Sequence, residues 1–425
     1  MSKLSDRTIS MRYVERDGEE QRVSRDCAFA VLRGRERRPG DTAHTLGSTR
    51  ADWGQSIVLL RDGKAVAEAS IGPALGSRFQ EMHRAPADAL QSAAYLADVR
   101  ASSDRDRSLL VYLALRRARL DGHHAVVSHL REGAWPERMG WSRLGLAPSI
   151  AADGAVHQVC AQRLELALLH AFDWSIGEGN QIEPSLFADE LGETLERWIL
   201  SVYERGFFRA VHERRLTREQ YLYATANMHQ FVRWTTRLLG RAVAVSHDKA
   251  FRNQFLHHLQ DEVNHEVIIE KDLEHLGVDL HTYLERIPAN RGTRLFMAVQ
   301  ESIIGFHQDP LLFLASPLAA EGIAAHLDQR FLDDLIACVA GWGVEHPRRA
   351  IRFLESHISF DGGEHGHWEE GLGFVAERLR TEEEFQRFLG VLRGSMEGLS
   401  MAYDSFGSDL AIFSLRDQPA RVIAA

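Results

Sequence analysis

The residues best suited to bind a metal ion are Glu262 and His265. They lie in HHLQDEVNHEVIIEKDLEHLG, residues 257–277, where apolar residues recur at helical spacing. Side chains three apart on an α-helix are neighbours on its surface, so a carboxylate and an imidazole at this spacing can hold one ion. This is the Glu-x-x-His half-site of a carboxylate-bridged metal centre in a helical bundle. Taken alone, such a pair more often belongs to a solvated helix face than to a metal site.

A second group of potential ligands follows in ESHISFDGGEHGHW. Asp361 follows His357 by four residues, and Glu364 and His365 follow Asp361 by three and four, which predicts several donors on one side of a second helix. Glu321 lies between the two groups, among small apolar residues in SPLAAEGIAAHLDQ. A carboxylate is costly to bury there unless something pairs with it, and a metal would do so.

Three glycines, Gly362, Gly363 and Gly366, interrupt the second group. Each glycine inside a helix costs about 0.5 to 1 kcal/mol relative to alanine, so we expect this segment to be a weak helix until metal or substrate orders it. On a continuous helix His367 would point nearly at a right angle to the other donors. We therefore leave His367 out of the predicted ligand set.

The donor types indicate which metal the centre would bind. All-oxygen sets suit Mg²⁺ or Ca²⁺ and thiolates suit zinc, whereas imidazoles with carboxylates and open positions suit Fe(II). Fe(II) in such sites reacts with O2. The sequence therefore predicts Fe(II) at this centre and O2 as co-substrate.

Length and composition limit the class of protein. A chain of 425 residues is too long for one ordinary core, so we expect two domains. The net charge of −10, with both signs interspersed, argues against nucleic acid or an anionic membrane as partner. Cys27, Cys160 and Cys338 include no Cys-x-x-Cys pair, which favours a reducing cytoplasm over a disulfide framework. We find no signal peptide and no membrane-spanning stretch, so we expect a cytoplasmic protein.

The first part of the chain, residues 1–172, has the pattern of a mixed α/β domain. Its predicted elements are a hairpin at 55–69 around Asp62-Gly63, a strand at 93–99, a helix at 107–120 and a strand at 124–130. This order resembles the GNAT acyltransferase fold, and within it the branch that contains the acyl-homoserine lactone synthases.

The segment RASSDRDRS, residues 100–108, occupies the position of the phosphate-binding loop of that family. Ordinary members use a glycine-rich loop whose backbone N–H groups reach the coenzyme A pyrophosphate. This segment has no glycine, so side chains would crowd such a cradle. Arg100, Arg105 and Arg107 can instead bind the phosphate of coenzyme A or of an acyl carrier protein by charge, or they form a solvated charged loop.

After a glycine- and proline-containing linker at 172–184, helical periodicity replaces β alternation. The predicted helices cover residues 185–213, 217–240, 249–276, 294–307, 317–341, 347–379 and 382–406. Helices with short connections make a compact bundle, which we assign to residues 185–410. The predicted fold class is thus an α+β acyltransferase-like domain followed by an all-α helical bundle.

The motifs HLQDEVNHEVIIEKDLEHLG, SPLAAEG and HISFDGGEHGH, in this order, resemble those of the haem-oxygenase-like diiron oxidases. That helical fold is shared with the TenA thiaminases and the PqqC quinone oxidase. The resemblance implies two Fe(II) ions. The implied ligands are Glu262 and His265 from one helix, Glu321 from the next, and His357 and Asp361 from the last core helix.

Two positions depart from the family pattern. Members commonly have another carboxylate on the preceding helix, and the corresponding polar residue here is His229, as a ligand or as a packed core histidine. Members also often have a histidine three residues after the aspartate. Glu364 occupies that position and His365 follows it, so either side chain is a candidate ligand.

The function implied is that of an O2-dependent non-haem diiron oxidase or oxygenase in a biosynthetic pathway. Its substrate would be an amino acid, an acyl compound or a related small molecule. An external electron donor, an acyl carrier protein or coenzyme A thioester, and a second copy of the chain are the expected partners. The alternatives are a metal-free TenA- or PqqC-like enzyme, for which Cys338 is the one cysteine in this half, and a carrier-binding scaffold without catalysis.

Overall fold

A computed structural model describes a defined part of the chain. The described ranges are residues 12–14, 18–24, 27–32, 54–61, 64–131, 140–144, 149–150, 156–180, 182, 185–280, 283–284, 287–361 and 366–408. The chain divides into two compact units. One comprises Met1–Leu186 with Thr381–Glu383, and the other comprises Phe187–Arg380 with Glu384–Ala425.

The N-terminal unit is built on a mixed β-sheet. Its strands are β1 Arg12–Val14, β2 Gly18–Ser24, β3 Cys27–Leu32, β4 Gln55–Arg61, β5 Lys64–Pro73, β6 Ala93–Ala101, β7 Ala125–Arg131, β8 Ser142–Arg143, β9 Ser149–Ile150 and β10 Val156–Arg163. Neighbours in the sheet follow the order β1-β2-β3-β4-β5-β6-β7-β10-β8, and β9 also pairs with β10. The described pairings are antiparallel apart from β6 with β7, which run parallel.

The strands predicted from β-rich runs are confirmed. Strands β4 and β5 form an antiparallel pair in which Arg61 lies opposite Lys64. The predicted turn residues between them, Asp62 and Gly63, lie outside the described residues. Strands β6 and β7 correspond to the predicted strands at 93–99 and 124–130.

Helices of the N-terminal unit cover the sheet. They are α1 Arg78–His83, α2 Ala87–Leu90, α3 Asp104–Leu120 and α4 Leu164–Gly177. Helix α3 begins before the predicted start at residue 107 because Ser103 caps it, its hydroxyl accepting the Asp106 N–H at 3.1 Å. Most of α3 is buried against the sheet and α4, which makes it the central helix of this unit.

The second unit is entirely helical in the part that the structure describes. Its helices are α5 Ser185–Tyr203, α6 Gly206–His212, α7 Arg218–Val245, α8 Lys249–Asp261, α9 His265–His275, α10 Arg291–Gln300, α11 Pro310–Phe313, α12 Ala315–Ala325, α13 Gln329–Gly341, α14 Arg352–Asp361, α15 His367–Ala376 and α16 Glu382–Phe406. A π-helix, Glu301–His307, follows α10, and a 3-10 helix, Pro347–Ala350, precedes α14. Helix α7 begins with a capping box, in which the side chains of Thr217 and Gln220 each accept a backbone N–H.

The helix predicted over residues 249–276 is in fact two helices, and this prediction was wrong. Helix α8 ends at Asp261 and α9 begins at His265. Between them Asn264 has φ of 69°, in the left-handed region that asparagine tolerates better than most residues. Periodicity did not reveal this break, because the apolar pattern continues across it.

Two other predicted helices are also divided. The one expected at 317–341 becomes α12 and α13, where Asp328 caps α13 by accepting the Phe331 N–H at 2.9 Å. The one expected at 347–379 becomes a 3-10 turn, α14 and α15. Helix α14 ends at Asp361, where the glycines begin, and α15 starts at His367.

Within the described residues, no single helix is long and apolar enough to cross a membrane. A bent pair, Pro310–Ala325 with Gln329–Gly341, meets that test by length and composition only, with an angle of 76° between its halves.

Helices α10 and α16 approach so closely that only glycine fits at their crossing. A Cβ atom added at Gly292 would lie 2.2 Å from the backbone nitrogen of Ala402. One added at Gly398 would lie 2.7 Å from the backbone nitrogen of Phe296. The lack of a side chain at Gly292 and at Gly398 therefore allows α10 and α16 to approach this closely.

The start of α14 is held by a buried carboxylate on α9. Asp272 is fully buried and accepts the backbone N–H groups of Arg352 at 3.1 Å and Phe353 at 2.9 Å. Burial raises the pKa of Asp272 to about 7, although both N–H donors act to lower it. This contact fixes α14 against α9 and so positions the residues that follow on α14.

We expect Gly292→Ala to destabilise the protein by about 1 to 3 kcal/mol, because the added methyl group overlaps backbone atoms of α16. Gly240→Ala on α7 is the matched control. No atom lies within 4 Å of its added Cβ, so the change should stabilise by about 0.5 to 1 kcal/mol. Urea denaturation of the two variants measures both effects, and equal midpoints would contradict the close packing.

Asp272→Asn should change how stability depends on pH. The folded pKa of Asp272, about 7, is above the ordinary aspartate pKa of about 3.9, so the protonated side chain favours the folded state fully below pH 4. This contribution is lost as pH rises through 7. The free energy of unfolding of wild type relative to Asp272→Asn should therefore fall between pH 4 and pH 7. A constant difference over that range would show that burial does not raise this pKa.

Candidate metal centre

Glu262, His265 and His357 form one buried group of potential ligands. One ligand atom from each lies within 4.8 Å of the others. Nδ1 of His265 is 2.9 Å from Oε2 of Glu262, and the rings of His265 and His357 lie 4.7 Å apart. We call this group the first triad.

The predicted Glu262–His265 pair thus meets, but not on one helical face. Glu262 ends α8 and His265 begins α9, so the left-handed turn at Asn264 brings the two side chains together. The spacing was informative, whereas the continuous helix used to justify it was wrong.

The orientation of His357 is fixed by its own helix. Its Nδ1 donates a hydrogen bond to the carbonyl oxygen of Phe353 at 2.9 Å, one turn earlier on α14. Because that bond occupies Nδ1, Nε2 is the nitrogen available as a metal ligand. The Phe353 ring packs on the imidazole with 4.1 Å between centroids, which further restricts its rotation.

His258, Glu321 and His367 form a second group, which we call the second triad. Nε2 of His258 lies 2.9 Å from Oε1 of Glu321, and the rings of His258 and His367 are 5.0 Å apart. The same nitrogen of His258 lies 3.5 Å from Oε1 of Glu262. One oxygen of Glu262 thus faces each triad, as a carboxylate that bridges two ions would.

Sequence reasoning missed two members of the second triad. His258 precedes Glu262 by four residues, so the i,i+4 spacing was a usable signal. His367 was left out on the assumption of one helix through residue 367. Since α14 ends at Asp361 and α15 begins at His367, that assumption does not hold.

The pKa values of the buried imidazoles and carboxyl groups in this centre depend on one another. Burial alone would lower the pKa of His258, but the carboxylates of Glu321 and Glu262 raise it well above its usual value. Burial would raise the pKa of Glu262, but hydrogen bonds from His258 and His265 hold it well below its usual range. Without a metal, a protonated His258 between the two carboxyl groups satisfies this charge balance. A metal ion would displace that proton, because only neutral imidazole ligates.

The donor set fits a pair of divalent transition-metal ions. The closest separations between donor atoms here are 2.9 to 3.5 Å. The residues are four imidazoles and two carboxylates, the mixture expected for iron rather than for calcium or magnesium.

The other predicted ligands are placed as follows. Asp361 is the last residue of α14, and its side chain lies outside the described residues, as do Glu364 and His365. His229 is buried on α7 and lies 3.2 Å from Oε1 of Glu270, outside both triads. Burial lowers the pKa of His229. Of the two interpretations of this residue, the packed core histidine agrees with its position.

The three arginines proposed for phosphate binding are placed in the N-terminal unit. Nε of Arg105 donates to Oδ1 of Asn180 at 3.0 Å, and Arg107 pairs with Asp104. Arg100 is exposed near the end of β6. Two of these guanidinium groups therefore already contact protein acceptors.

An apolar cavity adjoins the two triads. Together with its opening it encloses about 890 Å³. Its lining residues are Phe208, Met228, Phe231, Val232, Thr235, Leu239, His258, Glu262, Phe296, Gln300, Phe313, Pro317, Ala320, Glu321, Ile323, Ala324, Leu327, Phe353, Leu354, His357, Leu399 and Tyr403. The set of described residues that line it includes no lysine or arginine.

Comparisons with known proteins add the following. No family model matches the sequence, and no curated protein matches it. A domain of unknown function with a heme oxygenase-like fold from Shewanella denitrificans OS217 is similar in structure, with 17% identity and a TM-score of 0.45. That similarity covers 53% of this chain and 94% of that one. A TenA homolog from Pseudomonas syringae pv. tomato str. DC3000 has 10% identity and a TM-score of 0.43, covering 52% of this chain and 92% of that one.

Proposed function

We propose that the helical unit is an O2-dependent non-haem diiron oxidase or oxygenase with a haem-oxygenase-like fold. The observation that carries this proposal is the pair of imidazole–carboxylate triads joined through Glu262. A single pair of side chains could be explained as a structural ion pair. Six potential ligands around one buried point have no such explanation, because the stability of the bundle does not require them to converge. Burying charged groups together is rarely favourable unless something compensates them.

The first triad, Glu262, His265 and His357, would hold one Fe(II), and the second, His258, Glu321 and His367, would hold the other. Glu262 would offer one oxygen to each ion. When bound, iron would supply the electrons that reduce O2. The proposal includes an external electron donor as a partner.

The chain's own residues have separate tasks in this proposal. His258 loses its proton when an ion binds, because the positive charge of the ion then balances the carboxylates of Glu321 and Glu262. The hydrogen bond from His357 to Phe353 keeps its imidazole in the ligating orientation. Aromatic and aliphatic side chains of the cavity keep water away from the reacting atoms.

The cavity favours an acyl compound over a free amino acid as substrate. An amino acid carries a carboxylate and an ammonium group, and the described lining offers no basic side chain for the former outside the triads' imidazoles. An aliphatic chain would fill the apolar volume and bring a C–H bond to the triads. Thr235, Gln300 and Tyr403 are polar residues of the lining that can bind an uncharged polar group of the substrate.

For the N-terminal unit, an acyltransferase-like domain that binds an acyl carrier protein or coenzyme A thioester remains our proposal. It is supported by the order of elements, in which α3 connects the parallel strands β6 and β7. An acyl group bound by this domain would belong to the same substrate class that the apolar cavity of the helical unit favours.

A metal-free enzyme of the same fold is the second candidate, because the contact between His258 and Glu321, at 2.9 Å, pairs the imidazole with a carboxylate of the protein itself. A thiaminase-type reaction would need a cysteine nucleophile. Cys338 does not suit that role, since it is buried and burial raises the pKa of its thiol.

Glu262→Ala and His265→Ala should each lower the iron content of protein from iron-supplied cells below that of wild type and abolish O2-dependent turnover. Each change removes a donor from the centre but leaves the helices in place. His229→Ala is the control, since this equally buried histidine contacts Glu270 instead and should leave iron content unchanged. An iron assay measures the metal content of each variant, and circular dichroism checks that each variant is folded. Wild-type iron content in Glu262→Ala would refute the diiron assignment.

Ala324→Phe should weaken the binding of dodecanamide, an uncharged acyl compound, by about tenfold, or about 1.4 kcal/mol, because the ring occupies the apolar cavity. Iron content should not change, since Ala324 is not a ligand. Calorimetry with dodecanamide and with leucine compares the two substrate classes. Tighter binding of leucine than of dodecanamide would contradict the preference for acyl compounds.

A further inference from the structure

A third group of metal-ligating side chains lies at the surface next to the second triad. His257 and Asp261 come from successive turns of α8, and His367 is the first residue of α15. Nδ1 of His257 lies 2.9 Å from Oδ2 of Asp261, and Nε2 of His367 lies 3.2 Å from the same oxygen. One ligand atom of each residue lies within 4.8 Å of the others. We call these residues the surface triad.

The surface triad differs from the buried triads in its access to solvent. The side chains of His257 and Asp261 are 66% and 42% exposed, whereas that of His367 is 13% exposed. Two imidazoles and one carboxylate are donors that suit a divalent transition-metal ion. An ion bound here would keep water in its open positions and could exchange readily.

His367 belongs to both the surface triad and the second triad. His257 and His258 are consecutive on α8, one exposed and the other buried. A small cleft is lined by members of both groups, including His257, His258, Glu321 and His367. The other polar residues that line this cleft are Gln254 and Glu370, whose side chains offer further oxygen ligands.

We infer that the surface triad captures the divalent metal ion and passes it to the buried second triad through His367. This inference rests on the proposed function, since it requires the buried triads to bind metal. His367 remains a ligand while His257 and Asp261 are replaced by His258 and Glu321. The ion never loses all protein donors at once. No change of oxidation state is involved.

Co(II) uptake by the full-length metal-free protein tests the transfer, with visible absorption as the readout. The double variant His257→Ala/Asp261→Asn leaves His367 intact. It should reach the wild-type final occupancy but about tenfold more slowly, a difference of ~1.4 kcal/mol in the barrier. His212→Ala is the matched control, because His212 is another exposed histidine paired with a carboxylate, Asp334, at 3.3 Å. An uptake rate in the double variant equal to that of wild type would overturn the inference.

A second measurement separates this inference from the proposed function. The variant Glu262→Gln/His265→Ala/Glu321→Gln, checked by circular dichroism, lacks donors of both buried triads but keeps the surface triad. It should still bind one Co(II), and adding His257→Ala/Asp261→Asn should abolish that binding. Absence of Co(II) from the first of these variants would overturn the surface site even if wild type binds two ions. Equal Co(II) content in wild type and in that variant would instead refute the buried diiron centre.

Discussion

The carboxylate of Glu262, buried between His258 and His265, is the contact on which the rest of the centre depends. A lone carboxylate in this position would be strongly unfavourable, because desolvating an unpaired charge costs several kcal/mol. Its two oxygens instead each face an imidazole, at 2.9 Å and 3.5 Å. Removing either imidazole takes away one of the two groups that compensate this charge. The three side chains therefore stabilise one another electrostatically as a unit.

Several local features of the bundle serve this contact. The turn at Asn264 orients α9 so that His265 faces back toward Glu262. Asp272, two turns further along α9, holds the first residues of α14, and α14 in turn presents His357. Glu321 reaches the centre from α12, one of the two helices into which a longer predicted helix is divided. Each ligand is thus positioned by a helix end or by a contact close to one.

Much of the architecture follows from patterns that the sequence displays directly. Alternation and the Asp62-Gly63 pair identify β4 and β5, and the Thr217–Gln220 capping box marks the start of α7. Glu262, His265, Glu321 and His357 were selected by residue type, spacing and neighbours, and the structure brings them to the same buried region. His258 and His367 were not predicted as ligands because their roles depend on where helices end. Apolar periodicity continues through a break at Asn264 or after Asp361, and the free energy that decides such a break comes from tertiary contacts.

The left-handed turn at Asn264 changes the meaning of the Glu-x-x-His motif in this chain. Where such a motif lies on an unbroken helix, the two intervening residues are free to vary as long as they are helical. Here the second of them must adopt positive φ, which restricts it to asparagine, aspartate or glycine at little cost. A sequence pattern that recognises this type of centre should therefore be written Glu-x-[Asn/Asp/Gly]-His. A relative with a β-branched residue at that position would have to present its ligands from a differently shaped backbone.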